Sequence, residues 1–321
     1  MNTIPLIFNE KQVQYTVLSG TEDIPVVKTP LGVIILNNGS AGSYRIKILE
    51  NLIKNGFSSI VSIERSAENY NLEELTQKFP CVKFLVPLEK VSIGDMINMG
   101  MKEIDTESVL VLNDSILISQ NLFSNIILER VLAEKKLCVI PRLVNSQRQI
   151  LPIRFSPVIE KSTFKVMSSS VISDKCPTLY PFDFIGIYNR NRFMHIGGFD
   201  YTITSPYWQN LDFFVRAWLW GEKIVISPML QLAYDDNVPI MDSTPDKSQL
   251  RFFLKNCAPK FTNDHCYIPI SKFFQYKKRS ISSFSEAIKY FSDARKWVEI
   301  NKYRFQKDIT MLIREWETSI L

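Results

Sequence analysis

A regular alternation of apolar runs and helix-like segments is the feature that most constrains the fold of this chain. Apolar runs of strand length recur through its first third, at residues 31–36, 59–63, 82–86 and 109–112. Between the first two runs, Ile46, Leu49 and Ile53 recur at helical spacing. Runs without polar alternation are typical of parallel strands that are buried on both faces. The order strand, helix, strand, helix, strand therefore predicts a doubly wound α/β sheet.

The pattern divides the chain into three predicted parts. Residues 1–30 hold short β-like runs and are expected to form an N-terminal β hairpin or an edge strand. Residues 31–265 form the α/β domain, with a predicted helix at 116–136, a polar insertion at 142–182 and a last strand at 223–228. Residues 266–321 space their apolar side chains as a helix does, so we expect a helical extension with a basic surface.

Composition excludes several classes of protein. Of the 321 residues, 45% are hydrophobic and 22% are charged, which is typical of a globular core rather than of disorder. The longest apolar runs fall well short of the roughly 20 residues that a membrane helix needs. The N-terminus has no basic segment before an apolar one, so we expect no cleaved signal peptide. Five cysteines without a C-x-x-C pair argue against a disulfide framework or a zinc cage, and predict a reducing, cytoplasmic location.

The net charge of +5 is concentrated in the C-terminal tail. Residues 271–321 hold eleven Lys and Arg against six Asp and Glu, so the rest of the chain is neutral. A nucleic-acid enzyme is expected to carry its basic surface near its chemistry, and we therefore predict no nucleic-acid partner. Two interpretations of the tail remain open. It is either a solvated helix packed on the main domain, or a surface in which Lys277, Lys278 and Arg279, beside Phe273 and Phe274, rest on the inner face of an anionic membrane.

Polar side chains follow the predicted strands at the positions where an α/β sheet binds its ligand. In open α/β sheets the ligand lies beyond the carboxyl ends of the strands, near the point where the strand order reverses. Asn37, Glu64 and the segment Asn113-Asp114-Ser115 all end predicted strands. We expect them to meet at one edge of the sheet. The alternative is that Asn113-Asp114-Ser115 is only a turn that caps the next helix.

A second group of residues comes late in the domain. A predicted strand at 184–188 leads to the corner Gly197-Gly198-Phe199-Asp200, which is followed by Trp208, by Gln209-Asn210-Leu211-Asp212 and by Arg216. This order resembles the signature of family 2 glycosyltransferases of the GT-A fold, in which GGFDE precedes ED-x-D, an arginine and a glycine. With Asn113-Asp114-Ser115 as a variant of the D-x-D motif, the resemblance extends over roughly residues 31–230 and implies a Rossmann-like, mostly parallel twisted sheet flanked by helices.

The resemblance implies a donor site for a nucleotide sugar. Asn37, Glu64, Asn113, Asp114 and Ser115 occupy the family's positions for the nucleobase, the ribose and the diphosphate. A divalent cation, Mn²⁺ or Mg²⁺, would neutralise charge on the diphosphate leaving group. Asp114 is its expected ligand. Ser115 is a neutral and weak ligand where the family has an acid, so metal dependence stays open.

A further metal ligand is expected from the loop after residue 262. His265 lies where some relatives place a metal-binding histidine, and it is expected to support Asp114.

The resemblance also implies an acceptor side, and the sequence departs from the family there. Gly198, Asp200, Trp208 and Asn210 are expected to shape the sugar pocket. The family's acidic pair falls on Gln209 and Asn210, and an amide cannot take the proton of an acceptor hydroxyl. Asp212 is therefore the predicted general base. The alternative for Asp212 is a structural ion pair with Arg216 at i,i+4 spacing.

These residues predict a glycosyltransferase that moves a sugar, with inversion, from a nucleotide-sugar donor to a glycan, lipid-linked or protein acceptor in bacterial-type glycan biosynthesis. The alternative is a catalytically degenerate GT-A-like module that binds a glycan or a partner protein. A sugar nucleotidyltransferase ranks last, because the loop at residues 37–42 lacks the Lys or Arg that would hold a triphosphate.

Overall fold

The computed structural model of the chain describes residues 13–37, 42–65, 72–118, 123–133, 135–160, 163–235, 238–280 and 282–318. The predicted β-like run at residues 3–8 lies outside this part of the chain. The strands are β1 (Tyr15–Ser19), β2 (Leu31–Leu36), β3 (Ser59–Ile63), β4 (Val82–Pro87), β5 (Ser108–Asn113), β6 (Ile116–Leu117), β7 (Cys138–Val144), β8 (Arg154–Glu160), β9 (Thr163–Ser169), β10 (Cys176–Pro177), β11 (Gly186–Asn189), β12 (Ile224–Tyr234), β13 (Lys260–Thr262) and β14 (His265–Tyr267).

Helices connect and cover these strands. They are α1 (Gly42–Asn55), α2 (Leu72–Lys78), α3 (Ile93–Glu103), α4 (Asn125–Leu132), α5 (Arg190–Ile196), α6 (Pro206–Leu219), α7 (Lys247–Phe252), α8 (Lys272–Arg279), α9 (Phe284–Asn301) and α10 (Ile309–Thr318). Short 3₁₀ turns occur at Phe182–Phe184 and Lys302–Arg304, and a π-helical turn at Phe253–Cys257 continues α7.

The central sheet has ten strands in the order β1-β4-β3-β2-β5-β11-β7-β12-β10, with β6 paired to β12. Strands β2, β3, β4, β5, β7 and β12 run in one direction, and the other four run opposite to them. The predicted α/β architecture, a mostly parallel sheet flanked by helices, is confirmed. All six residues of β2 are buried, as the apolar run predicts.

The strand order reverses at β2. The chain moves outward from β2 to β3 and β4, and α3 then returns it to β5 on the other side of β2. Leu36 and Asn113 are register partners at the ends of β2 and β5, and the Asp114 amide donates to the Leu36 carbonyl at 3.2 Å. In sheets of this kind the reversal opens the crevice in which ligands bind. The polar residues after β2, β3 and β5 therefore lie at this point.

A capping box at the start of helix α3 and a close contact in its second half determine where the helix lies. The Ser92 side chain accepts from the Asp95 amide at 3.1 Å, and the Asp95 carboxylate accepts from the Ser92 amide at 3.0 Å, which forms a capping box. Gly100 faces β2 so closely that a Cβ atom there would lie 2.8 Å from Ile34. The glycine allows the crossover helix to pack directly on the strand at which the order reverses.

Two predicted elements differ from the structure. The helix predicted at 116–136 is shorter, because residues 116–117 pair with Ala233 and Tyr234 as β6, and α4 begins only at residue 125. The glycine corner follows helix α5 rather than a strand. Gly197 ends that helix with a left-handed backbone at φ 97°, a conformation that favours glycine.

The terminal parts pack onto the central domain. Strand β1 pairs antiparallel with β4 at the edge of the sheet. In the C-terminal extension, Trp316 of α10 packs on Trp218, and Trp297 of α9 stacks on Trp220. The exact division at residues 30 and 265 stays a prediction. No helix within the described residues is long and apolar enough to cross a bilayer.

Candidate functional site

Asn37 and Glu64 are joined directly at the carboxyl ends of β2 and β3. The Asn37 side-chain amide donates to Glu64 Oε2 at 3.0 Å, and the hydroxyl of Ser62 donates to Oε1 at 3.2 Å. Arg45 of α1 forms a buried ion pair with the same carboxylate. The Oδ1 atom of Asn37 is buried and has no hydrogen-bond partner among the described residues. The predicted strand-end residues thus include one polar atom that remains to be satisfied.

The carboxyl end of β5 lies beside a carboxylate that the sequence did not reveal. Asp183 lies in the 3₁₀ turn before β11, and its carbonyl accepts from the Asn113 side-chain amide at 3.1 Å. Its Oδ2 atom accepts from that amide and from the Tyr234 hydroxyl, the latter at 2.9 Å. Its Oδ1 atom has no hydrogen-bond partner among the described residues. We call Asn37, Glu64, Asn113, Asp114 and Asp183 the strand-edge cluster.

Asp183 is unusual in both its backbone and its acidity. Its φ of 50° places it in the left-handed region, which non-glycine residues rarely adopt. Burial raises the pKa of its carboxyl group to about 6, and the neighbouring charge of Asp114 adds to the rise, although the hydrogen bonds from Tyr234 and Asn113 oppose it. A partly exposed acid whose pKa is raised to about 6 is a candidate for proton transfer.

The predicted metal residues lie on different elements of the structure. Asp114 is buried at the end of β5, and the Ser115 carbonyl accepts from the Asp235 amide at 3.0 Å. His265 instead lies on the hairpin of β13 and β14, where its ring contacts Tyr303 and its Nδ1 pairs with Asp264. The described residues contain no group of three His, Cys, Asp or Glu that could hold a metal ion.

A second group of charges lies beneath the glycine corner. Lys255, on the π-helical turn, donates to Asp200 Oδ2 and to Asp212 Oδ2, both at 2.8 Å. Arg216 pairs with Asp212 at 2.9 Å, and Arg251 pairs with Asp200 at 2.9 Å. We call these five residues the lysine-centred cluster.

The cations of this cluster offset the burial of Asp200. Burial alone would raise the pKa of Asp200, but Lys255 and Arg251 outweigh it and hold the pKa well below its usual range.

Asp212 is fully buried, and both of its oxygens are engaged. Besides the two cations on Oδ2, its Oδ1 atom accepts from the Asn256 side chain at 2.7 Å. The ion pair with Arg216, stated above as the alternative, is present. The role of Asp212 as general base stays a prediction. It would require Lys255 and Asn256 to release the carboxylate before a substrate hydroxyl could approach.

The amides at 209 and 210 are used structurally. Gln209 donates to the Ser92 hydroxyl at 2.9 Å and accepts from the Gly94 amide at 2.9 Å, and a carboxylate could not make the first of these bonds. Asn210 donates to the Pro181 carbonyl at 2.8 Å. Residues 210 and 212 point about 200° apart around helix α6. Asn210 therefore faces the turn that carries Asp183, and Asp212 faces Lys255.

The remaining predicted substrate residues are also well packed. The Gly198 carbonyl accepts from the Arg216 guanidinium. Trp208 is only 6% exposed, its indole N–H donates to the Thr244 carbonyl at 3.0 Å, and its ring packs on Phe252. Asp200 is bound in the lysine-centred cluster. These residues hold the corner in shape, and their contact with a sugar stays a prediction.

Sequence reasoning missed three side chains of the two clusters, Asp183, Arg251 and Lys255, and also Arg45, which pairs with Glu64. Lys255 carried a usable signal, because it follows Phe252, Phe253 and Leu254, and a lysine in an apolar run is rarely buried unless it is paired. No local pattern marks Asp183, whose partners are 70 and 51 positions away in the chain.

Comparison with known proteins agrees with this geometry at the level of fold. No protein-family model matches the chain, and neither does any curated protein. The solved structure of GalNAc-T7 with UDP, GalNAc and Mn²⁺ matches with a TM-score of 0.63 and 12% identity, over 92% of this chain and 57% of that one. The chain thus spans little more than half the length of GalNAc-T7. The class that the fold defines is the GT-A glycosyltransferase fold.

Two structures of S. aureus TarS also match. One has a TM-score of 0.48 and 14% identity over 88% of this chain and 44% of TarS. The other, of TarS 1–349, has a TM-score of 0.47 and 13% identity over 82% of this chain and 70% of that one.

Replacing Lys255 tests the lysine-centred cluster. We expect Lys255→Met to lower the free energy of unfolding by about 3–5 kcal/mol, because it leaves two buried carboxylates short of a cation. Lys260→Met, at an exposed lysine five residues later, should change it by less than about 0.5 kcal/mol. Urea denaturation monitored by circular dichroism measures both. Equal stability of the two variants would contradict the role assigned to Lys255.

Proposed function

We propose that this protein is a glycosyltransferase that uses a nucleotide sugar as its donor and binds it at the strand-edge cluster. The observation that carries the proposal is the meeting of Asn37, Glu64, Asn113 and Asp114 at the point where the strand order reverses. Ligands of open α/β sheets bind at this point. The GT-A fold adds support, since GalNAc-T7 was solved with UDP and GalNAc.

Unsatisfied atoms support a nucleotide at this edge. The buried Oδ1 atom of Asn37 is an acceptor without a partner among the described residues, and a ribose hydroxyl or a base N–H would satisfy it. Asn113 and Asp114 are each 3% exposed, whereas Ser115 and Asp183 are partly exposed. A nucleotide would therefore approach the cluster from the side of Ser115 and Asp183.

The segment Asn113-Asp114-Ser115 could hold a divalent metal ion only weakly. Asp114 is the one acid of its motif, and Ser115 supplies at most a neutral oxygen. Mg²⁺ in nucleotide sites is often held by one or two carboxylates and by the phosphates themselves, so Asp114 would share such an ion with the diphosphate. When bound, the ion would neutralise charge on the leaving group. His265 lies with Asp264 and Tyr303 and is not assigned to it.

We assign the general base to Asp183 rather than to Asp212. The carboxylate that the family carries at position 210 is an amide here, and that amide binds Pro181, two residues before Asp183. In the transfer, the acceptor oxygen bonds to the anomeric carbon as the bond to the diphosphate oxygen breaks. The hydroxyl proton passes to Asp183 Oδ1, the nucleoside diphosphate leaves, and the transferred sugar is bound to the acceptor with inverted configuration.

A binding module without catalysis is the second candidate, and a specific observation favours it. Gln209 and Asn210 are amides whose side-chain nitrogens bond Ser92 and Pro181, so the family's acidic pair has become part of the scaffold. The acceptor would then be a glycan or a partner protein that is bound but not modified. Release of nucleotide diphosphate from a panel of nucleotide sugars distinguishes the two candidates.

Nucleotide binding tests the donor site. We expect UDP, or another nucleoside diphosphate of a panel with and without Mn²⁺, to bind in isothermal titration calorimetry. Asn113→Ala and Asp114→Asn should each weaken binding about tenfold or more, since each removes a polar partner of the ligand. Asp105→Asn, at an exposed acid before the other end of β5, is the matched control and should bind normally. Equal affinity in all three variants would contradict the site.

The pH dependence of turnover tests the base. A carboxylate with a pKa of about 6 accepts a proton only when ionised, so kcat/KM should fall as the pH drops below about 6. Asp183→Asn should lose about 100-fold or more in kcat and the pH dependence with it. If Asp212→Asn folds and loses activity while Asp183→Asn keeps it, Asp212 is the base and the assignment is wrong.

Contact of the tail with an anionic membrane stays a proposal. On α8, Phe274 is 72% exposed and Lys278 points outward, while Lys277 donates to the Ser282 carbonyl and Arg279 lies over the Phe253 ring. An exposed aromatic ring beside a lysine suits a lipid interface. Cosedimentation with vesicles that contain an anionic lipid, against neutral vesicles, tests this proposal, and the cytoplasmic location stays a prediction.

A further inference from the structure

A cavity of about 390 Å³ opens between α7, the π-helical turn and helix α9, and Arg251 of its lining pairs with Asp200. Its size is within the range of small-ligand sites. Four cations line it, Lys247, Arg251, Lys255 and Lys289, and Asp293 is the one acid among the described residues of its wall. We call it the cationic pocket. None of its lining residues belongs to the strand-edge cluster.

The charges of the pocket are only partly compensated within the protein. Lys255 forms the floor and is balanced by Asp200 and Asp212. The ammonium groups of Lys247 and Lys289 form no hydrogen bond or ion pair with any described residue. The pKa of Glu286 is lowered by its hydrogen bonds with Ser283 and, to a smaller extent, by the charge of Lys247, so Lys289 is the less compensated of the two lysines. Like charges that converge on a concave surface repel one another and raise the local positive potential, which an anion would relieve.

Arg251 offers the geometry that an oxyanion needs. Its Nε–H donates to Asp200, and this is the only side-chain hydrogen bond that the guanidinium makes within the described residues. Its two terminal nitrogens keep four N–H donors, and the side chain is 30% exposed at the pocket. A guanidinium held at one nitrogen presents the remaining donors in a fixed fork, which suits bidentate binding of phosphate.

We propose that the cationic pocket is a binding site for a phosphate-bearing ligand, with Arg251 and Lys289 as its principal contacts. Thr202 of the pocket wall comes two residues after Asp200 and donates to that carboxylate. The pocket therefore lies beside the corner where the resemblance expects a sugar. That the ligand is a phosphate group of the acceptor substrate rests on the transferase function proposed above. The binding of phosphate by the pocket does not rest on that function.

Line broadening in ³¹P NMR tests the proposal directly, because it detects weak ligands. The ³¹P signal of glucose 1-phosphate should broaden when the full chain is added. Inorganic phosphate should reverse the broadening by competing for the pocket, and neutral glucose should leave it unchanged. Lys289→Gln should weaken binding about two- to fivefold, the range of one exposed ion pair, and Lys247→Gln with Lys289→Gln together about tenfold. Both lysines are exposed, so these variants should fold.

Two matched variants make the test specific. Asp293→Asn removes a carboxylate from the pocket wall and should tighten the binding of glucose 1-phosphate about two- to fivefold. If anions bound nonspecifically to the surface, the same substitution would have only a small effect on binding. Lys296→Gln changes an exposed lysine of the same helix that does not line the pocket, and should leave binding unchanged. Equal effects of Lys289→Gln and Lys296→Gln would overturn the proposal, and so would displacement of glucose 1-phosphate by glucose.

The outcome is separable from that of the nucleotide experiment. Asn113→Ala should not change the binding of glucose 1-phosphate, because Asn113 lies at the strand-edge cluster. If no nucleotide binds but the phosphate results are as expected, the transferase function falls and the pocket stands. A loss of phosphate binding in Asn113→Ala would place the phosphate at the strand edge and contradict the pocket.

Discussion

The parallel pairing of β2 with β5 is the constraint on which the candidate site depends. Because β3 and β4 lie on one side of β2 and β5 lies on the other, the carboxyl ends of β2 and β5 adjoin where the strand order reverses. Asn37, Glu64, Asn113 and Asp114 are distant in sequence and meet for this reason. Asp183 then joins them through Asn113, and Tyr234 ties the same carboxylate to the end of β12.

Asp212, the predicted base, and Asp183, which the sequence did not reveal, belong to two different environments. Asp212 is held by three nitrogen donors in a fully buried cluster, and it stabilises the packing of α6 on the π-helical turn. Asp183 is partly exposed, keeps one oxygen without a partner among the described residues and has a raised pKa. Helix α6 separates these environments, since Asn210 and Asp212 leave it in nearly opposite directions. The site is therefore arranged around the turn before β11.

The sequence predicted the strands of the sheet more accurately than the contacts of its polar side chains. Residues 31–36 and 59–63 form strands at the predicted bounds, because strands buried on both faces leave an uninterrupted apolar run. The helix before Gly197 was missed, because Arg190 to Ile196 is short and follows a strand directly. Lys255 and Asp183 acquire their roles from partners more than 40 positions away. The apolar residues before Lys255 could have indicated its burial but not its partners, and no local pattern marks Asp183.

The central claim is that the ends of β2, β3 and β5 bind a nucleotide. A crystal structure of the protein with UDP and Mn²⁺ tests this claim most directly. The account predicts the ribose or the diphosphate within hydrogen-bond distance of Asn113 and Asp114, with the Oδ1 atom of Asn37 satisfied. UDP bound elsewhere, for example in the cationic pocket, would contradict the account, as would strand ends that remain closed by protein side chains at saturating nucleotide.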